Sequence, residues 1–212
     1  MEFVKYAGMY IQLATFIFSV FYYYKYKHTA MKWLPIYLGL VAFVELFCGY
    51  YYKQNNVWIY NLVTLVQFNF YAFLFYWYLE EISKKIALLL IIGYNIFYVL
   101  SFVINLNSFF DEMASFPHVI SVVILIVLLI MMFNQMLRIE NFVGFTYNLL
   151  FWLCFSLLVF HATSLPLFSI SKWNETVGDF KGSLIKILLF SILASHAILI
   201  FGFIWSKRKY TY

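Results

Sequence analysis

Runs of about 20 predominantly apolar residues recur along the whole chain, separated by short breaks that contain charged residues, Asn, Gly or Pro. A helix that crosses the hydrocarbon core of a bilayer needs about that length. The pattern therefore predicts an all-α integral membrane bundle, one domain over 1–212, with seven transmembrane helices at approximately 6–24, 33–52, 57–79, 86–106, 117–137, 143–164 and 183–205. The apolar stretch 165–171, which Pro166 interrupts, is too short to cross, and we expect a surface or re-entrant segment there.

Polar residues inside these runs follow the three- and four-residue spacing of a single helix face. Lipid offers no hydrogen-bond partner, so such a face should turn toward other helices or a wet cavity. The clearest stripes are Gln12, Thr15 and Ser19 in the first helix, Asn61, Thr64 and Gln67 in the third, and Ser191 and Ser195 in the seventh. The fifth helix has almost no polar residue. We therefore expect it to be the most lipid-exposed helix, or to contact a partner helix in a homo-oligomer.

Composition supports the membrane assignment and excludes other classes of protein. The chain is 65% hydrophobic, 24% aromatic and 11% charged, whereas soluble domains are about 45–50% apolar and about 25% charged. The mean hydropathy is +0.86. A disordered chain and a disulfide-rich secreted module are excluded by this composition. The net charge of +5 is scattered in short clusters, so a nucleic-acid-binding protein is excluded as well.

The distribution of Lys and Arg predicts the orientation, because basic residues are enriched on the cytoplasmic side. An outside N-terminus places nine basic residues inside and five outside. We therefore predict an outside N-terminus and a cytoplasmic C-terminus in the plasma (inner) membrane. A membrane or cytoplasmic protein partner is expected at the basic inner loops and tail, which contain Lys25, Lys27, Lys32, Lys207, Arg208 and Lys209.

Glu45 is the most informative single residue, since it lies inside the second apolar run. A carboxylate within a membrane span costs about 2.5–3.5 kcal/mol on the insertion scale. It can be a ligand contact, a cation site or a proton acceptor; the alternative is a protonated or paired carboxyl that only fixes the bundle. Together with other polar residues predicted inside the bundle, mostly in its outer half, it forms a candidate ligand-binding site: Glu45, Asn61, Gln67, His161 and His196.

The sequence lacks the residues that several kinds of metal, cofactor and catalytic sites require. Zinc needs three or four His, Cys, Asp or Glu ligands, but no two histidines are three or four residues apart on one helix. The last helix has His196, and no lysine, near its middle, which disfavours a retinal protein. Phosphate loops and catalytic triads are absent from the sequence. We expect no catalytic residue, metal or cofactor, and an intramembrane metal hydrolase is the least favoured alternative.

Three functions remain open from the sequence. The preferred one is a receptor-like or sensory module that binds a small ligand or a membrane partner and passes a helix rearrangement to the basic inner segments. The main alternative is a small transporter or channel subunit that uses Glu45 and His196 as a proton or cation relay. The third is a structural or membrane-perturbing oligomeric component. A conduit needs polar groups from one membrane face to the other, whereas a receptor pocket ends blind.

Overall fold

The computed structural model describes residues 2–51, 56–104, 106–139, 142–170 and 178–207. These residues are helical and contain no strand. The helices are α1 (Glu2–Phe21), α2 (Leu34–Leu46), α3 (Val57–Tyr78), α4 (Glu81–Val103), α5 (Leu106–Asp111), α6 (Ser115–Ile139), α7 (Phe142–Phe145), α8 (Leu149–Ile170) and α9 (Gly178–Trp205). Two 3₁₀ turns, Tyr23–Lys25 and Ala30–Trp33, join α1 to α2, and a π-helical turn, Phe47–Tyr51, ends α2.

The described residues include six helical segments that are long and apolar enough to cross a membrane: Ala30–Tyr50, Val57–Tyr78, Glu81–Val103, Ser115–Arg138, Leu149–Pro166 and Lys186–Trp205. The apolar part of α1, Tyr6–Phe21, is shorter. The prediction of an all-helical fold is confirmed for the described residues, and the six apolar helices support a multi-pass membrane protein. A seventh crossing by α1 stays a prediction.

The sixth predicted helix, 143–164, is displaced in the structure. Its long part, α8, begins at Leu149 because the side-chain oxygen of Asn148 accepts a hydrogen bond from the backbone N–H of Leu150 at 3.0 Å, which is an N-cap interaction. The helix then continues through Pro166 to Ile170. As far as Ile170 the segment is the end of α8, so a separate re-entrant segment is wrong there, whereas its position at the membrane surface stays a prediction. Residue 171 lies outside the described residues.

Helices α1 and α9 are parallel neighbours. Gly8 faces Ile192, and further along the hydroxyl of Thr15 lies 3.0 Å from Nδ1 of His196. At the end of both helices, the ammonium of Lys25 meets the last turn of α9. Both helices therefore finish at the same end of the bundle. We call this the basic end, since it holds Lys25, Lys27, Lys32, Lys84, Lys85, Arg138 and Lys207.

The other long helices complete the bundle around this pair. Helix α2 packs on α1, and α8 packs along α9. The fifth predicted helix is α6, which contacts α3, α4 and α8. One of its faces is buried, including Val122, Leu125 and Leu129, while Val123 and Val127 are exposed.

The expectation that this fifth helix is the most lipid-exposed is wrong, because a smaller share of α4 is buried. Helices associate in lipid by van der Waals packing as well as by polar contacts, so a face without polar residues can be an interior face. Oligomerisation through the exposed side of α6 stays a prediction.

Lys25 joins α1 to α9 at the basic end. Its ammonium donates to the carbonyl oxygens of Phe203, Ile204 and Ser206 at 2.7, 2.9 and 2.8 Å, and it lies 4.4 Å from the ring centre of Tyr22. Burial lowers the pKa of this ammonium from its ordinary value of 10.5. The carbonyls are the unsatisfied acceptors of the helix C-terminus, where a cation also favours the helix dipole.

This contact changes the predicted partner surface. Lys25 was expected to contact a partner but is bound by the chain itself, and the ammonium of Lys207 lies 3.9 Å from the ring centre of Tyr147. Lys27 and Lys32 are exposed. Arg208 and Lys209 lie outside the described residues.

Replacing Lys25 with Met should destabilise the bundle, because the last carbonyls of α9 lose their common donor. A partly exposed cation at a helix C-terminus contributes about 1 kcal/mol. For a chain of this size we expect a melting temperature lower by about 2–4 °C, measured on purified protein in one detergent. Lys27→Met, two residues away and exposed, is the control. Equal melting temperatures for the two variants would contradict this role.

Candidate functional site

A cavity of about 310 Å³ lies inside the bundle, in the half away from the basic end. Side chains from α1, α2, α3, α6, α8 and α9 line it, together with the turn 112–114 between α5 and α6, which contributes Met113 and Ala114. Four of the five predicted site residues line this cavity: Glu45, Asn61, Gln67 and His196. Polar residues from separate helices thus share this cavity, and their binding of a ligand stays a prediction.

Gln12 on α1 has an amide oxygen that the bundle leaves without a donor. The side chain is 9% exposed and lines the cavity, and its Oε1 has no hydrogen-bond partner. A buried acceptor without a donor costs about 1–3 kcal/mol. The sequence placed Gln12 on an inward stripe but not in the site. Its distinguishing feature is this unsatisfied oxygen, which only the packed structure reveals.

His196 on α9 offers a second acceptor. The hydroxyl of Thr15 has one proton and donates it to the carbonyl of Ile11 at 2.7 Å. Thr15 must therefore accept the hydrogen bond of 3.0 Å that it shares with Nδ1 of His196. A neutral imidazole with its proton on Nδ1 has an acceptor lone pair on Nε2. The hydrogen bond to Thr15 thus orients the ring of His196. Nε2 is then the ring nitrogen that can bind a ligand.

Glu45 supplies a carboxylate at the end of α2. It is half-buried and lines the cavity, close enough to Tyr60 and Cys48 to interact electrostatically with both. The helix widens into the π-helical turn Phe47–Tyr51 directly after it. Such turns are frequent at functional sites because they redirect the side chains around them.

Asn61 has a different role from the one predicted. Its side-chain N–H groups donate to the carbonyls of Phe109 and Glu112 at 2.8 and 3.0 Å, and its oxygen accepts from the N–H of Ala114 at 2.9 Å. The hydroxyl of Tyr98 donates to its backbone carbonyl at 2.6 Å. Both amide hydrogens are used within the chain. Asn61 therefore holds the turn 112–114 against the cavity rather than presenting its amide to a ligand.

The structure separates His161 from the cavity lining. Its side chain is 0% exposed, and both ring nitrogens lack a hydrogen-bond partner. It lies close enough to His118, which lines the cavity, for the two rings to interact electrostatically. A direct ligand contact by His161 stays a prediction that the cavity geometry does not favour. Gln67, half-buried on α3, does line the cavity.

The cavity ends toward the basic end of the bundle. Its lining stops at Tyr37, Tyr71 and Leu199, where the rings of Tyr37 and Tyr71 meet edge to face with centres 5.0 Å apart. Beyond them lies a layer of fully buried apolar residues, which includes Met31, Leu34, Phe75, Leu149 and Phe203. The same region also holds buried polar residues, among them Ser19 and Asn148, but the described residues place no buried Asp, Glu, Lys, Arg or His there.

The site's chemistry is hydrogen bonding and electrostatics. Within the described part of the chain, no group of three or more His, Cys, Asp or Glu side chains could hold a metal ion. Cys48 and Cys154 are buried thiols in separate places. What the cavity lining offers is hydrogen-bond acceptors and the carboxyl group of Glu45.

No protein-family model, curated protein or solved structure matches the chain. The function has to be argued from the cavity itself.

Proposed function

We propose that this chain is a receptor-like or sensory membrane protein that binds a small organic amine in its central cavity. The observation that supports this most directly is that acceptors from three helices line the same cavity: Oε1 of Gln12, Nε2 of His196 and the carboxyl group of Glu45. A protonated amine carries several N–H donors and a positive charge. The ring of Tyr60, beside Glu45, adds an aromatic face that attracts a cation.

The proposed topology has seven crossings. Helix α1 is 20 residues long, which at 1.5 Å per residue gives about 30 Å, the thickness of the hydrocarbon core. It runs parallel to α9, and both finish at the basic end through Lys25. Because basic residues favour the cytoplasmic side, the basic end is inside. The N-terminus and the cavity then belong to the outer half of the plasma (inner) membrane.

The proposed signal travels along α1 and α9. A ligand at Nε2 of His196 acts on a side chain that bonds to Thr15 of α1, and the far ends of the same two helices are joined by Lys25. A change in how α1 lies on α9 would therefore reach the exposed Lys27 and Lys32 segment, where a cytoplasmic or membrane partner can respond. The proposal requires two arrangements of this helix pair that the ligand binds unequally.

The closed inner end supports a receptor over the alternative transporter. A relay from Glu45 through His196 would have to continue past Tyr37 and Tyr71. The next layer toward the basic end is mainly buried apolar residues such as Met31 and Phe75, and the described residues place no buried charged side chain or His in it. A proton or cation would lose its hydration there without a replacement partner.

The proposal is tested by ligand-induced stabilisation of the purified protein. We expect small primary amines to raise the melting temperature, and neutral molecules of the same shape to leave it unchanged. Gln12→Leu and His196→Phe should each weaken amine binding roughly tenfold or more, because a hydrogen bond from a charged donor contributes about 1.5–3 kcal/mol.

The matched control is Ser191→Ala, which removes a buried hydroxyl of α9 one turn from Ser195 but does not touch the cavity. It should bind the same amines as the unchanged protein. Equal stabilisation by amines and by neutral molecules of the same shape would refute the proposed ligand class. Unchanged amine affinity in both cavity variants would refute the site.

A further inference from the structure

A second and larger groove opens on the outside of the bundle, near the basic end. Its volume is about 730 Å³. One wall is the face of α3 that carries Leu65, Val66, Phe70, Phe73 and Trp77. The facing wall is the turn before α2, with His28, Lys32 and Trp33 among its residues. Volumes of 300–1,000 Å³ are typical of sites that enclose a small molecule or a chain of comparable size.

The groove has the length of one membrane leaflet. From Leu65 to Trp77 is 12 residues along α3, or about 18 Å at 1.5 Å per residue. Half of the hydrocarbon core is about 15 Å thick. A groove that starts at the basic end and runs this far stops near the middle of the bilayer, where an extended acyl chain from the same leaflet also ends.

The α3 wall of the groove presents an apolar surface, because its one polar side chain is already hydrogen-bonded. Phe73 and Trp77 are exposed along it. Asn69 is the polar residue in the α3 wall, but its amide is paired with that of Asn95 through reciprocal hydrogen bonds of 3.0 and 2.8 Å. Its remaining N–H donates to the carbonyl of Leu65 at 3.0 Å. Asn69 thus offers no unused donor to an occupant, and the groove suits a hydrocarbon chain.

Positive charge lies at the open end of the groove. Lys32 is exposed there beside Trp33, with 5.3 Å between its ammonium and the ring centre. The segment from residue 22 to residue 33 contains no acidic residue. Tryptophan concentrates at the level of lipid headgroups, as Trp33 and Trp77 do here. Basic residues beside a membrane surface attract anionic lipids, each contributing about 1 kcal/mol.

We propose that this groove binds one anionic phospholipid from the leaflet at the basic end, with an acyl chain along α3 and the phosphate at Lys32. The site is separate from the central cavity. The ring of Tyr37, which lines the cavity, stacks on the ring of Phe70, which lines the groove, with 4.3 Å between centres and an angle of 6°. The proposal does not depend on the proposed amine ligand.

The first test blocks the groove. The protein is reconstituted in vesicles of equal parts phosphatidylglycerol and phosphatidylcholine, released into detergent, and examined for retained lipid by native mass spectrometry. We expect one retained phosphatidylglycerol, and its loss in Val66→Trp, which fills the groove. Leu62→Trp is the control, because Leu62 lies one turn earlier on α3, is 42% exposed as Val66 is, and does not line the groove.

The second test changes only the charge. Lys32→Gln should lower the preference for phosphatidylglycerol over phosphatidylcholine about fivefold, the factor that corresponds to 1 kcal/mol. Lys85→Gln removes an exposed lysine at the same end of the bundle, away from the groove, and should leave the preference unchanged. Both residues are exposed, so these variants should fold as the unchanged protein does.

Three results would overturn the proposal. One is retention of the same lipid in Val66→Trp and Leu62→Trp. Another is an unchanged lipid preference in Lys32→Gln, which would mean that the charge at the groove does not select the lipid. The last is a dimer without lipid that Val66→Trp alone disrupts, because the groove would then hold a second copy of this chain.

Discussion

Adding one methyl group at Gly202 is expected to destabilise the protein strongly. Gly202 lies on α9 where the helix crosses the first turn of α8, and a Cβ atom there would overlap the Cβ of Trp152 and come 2.9 Å from its Cγ. The Cβ of Trp152 is fixed by the backbone, so no rotamer change moves it aside. The two helix backbones would have to separate.

We expect Gly202→Ala to lower the free energy of unfolding by about 1–3 kcal/mol, the usual cost of overpacking. This corresponds to a melting temperature lower by roughly 2–12 °C, measured in a single detergent. Gly93→Ala is the matched control. Gly93 lies within α4, and a Cβ there meets nothing within 4 Å. Alanine should stabilise that position by about 0.5–1 kcal/mol.

The two glycine variants should therefore change stability in opposite directions. A similar decrease in both would mean that glycine itself, and not the contact with Trp152, is required. Gly49→Ala gives an intermediate case, because the atoms nearest its Cβ belong to the flexible end of Met9. It should cost less than Gly202→Ala. The melting temperatures of all three variants are measured in the same detergent.

The inward faces of the helices could be predicted because lipid cannot hydrogen-bond to a polar side chain. Gln12, Thr15 and Ser19 were placed on one inward stripe, and Ser191 and Ser195 on another, and all are buried in the structure. The start of α8 also had a sequence signal that was missed. Asn148 directly before an apolar run is a preferred N-cap, and it moves the helix six residues from the predicted start.

Contacts between distant parts of the chain could not be predicted in this way. Lys25 and the last turn of α9 are nearly 180 residues apart, yet they form a three-bond contact. Residue type alone places Lys25 with its exposed neighbours Lys27 and Lys32. Whether a basic residue faces a partner or a helix end depends on how α1 and α9 pack, and the local pattern carries no information about that.

At the candidate site, too, the partners of the buried amides Gln12 and Asn61 could not be predicted from the sequence. Both lie on inward stripes, and the sequence favoured Asn61 as the ligand contact. The structure supplies backbone partners for the whole amide of Asn61 and leaves the oxygen of Gln12 without one. An inward-facing amide can be structural or can bind a ligand, depending on whether backbone groups lie near enough to bond to it. For Asn61 those backbone groups come from α5 and from the turn between α5 and α6.

Replacing Asn61 with Leu tests that distinction. The variant keeps the size of the side chain but leaves the carbonyl of Glu112 and the N–H of Ala114 without their partner, in a turn that lies outside regular helix. The three side-chain hydrogen bonds of Asn61 are part-buried, and a typical hydrogen bond contributes about 1 kcal/mol. We therefore expect a loss of about 3 kcal/mol, or a melting temperature lower by roughly 6–12 °C.

The contrasting variant is the double substitution Asn69→Leu with Asn95→Leu. These two amides bond to each other and to the carbonyls of Leu65 and Ile91, which lie in α3 and α4 and accept helical hydrogen bonds as well. Removing both partners together leaves no orphaned group, so the double variant should melt within a few degrees of the unchanged protein. If Asn61→Leu were as mild as this double variant, Asn61 would not hold the turn, and its free amide would again be a candidate ligand contact.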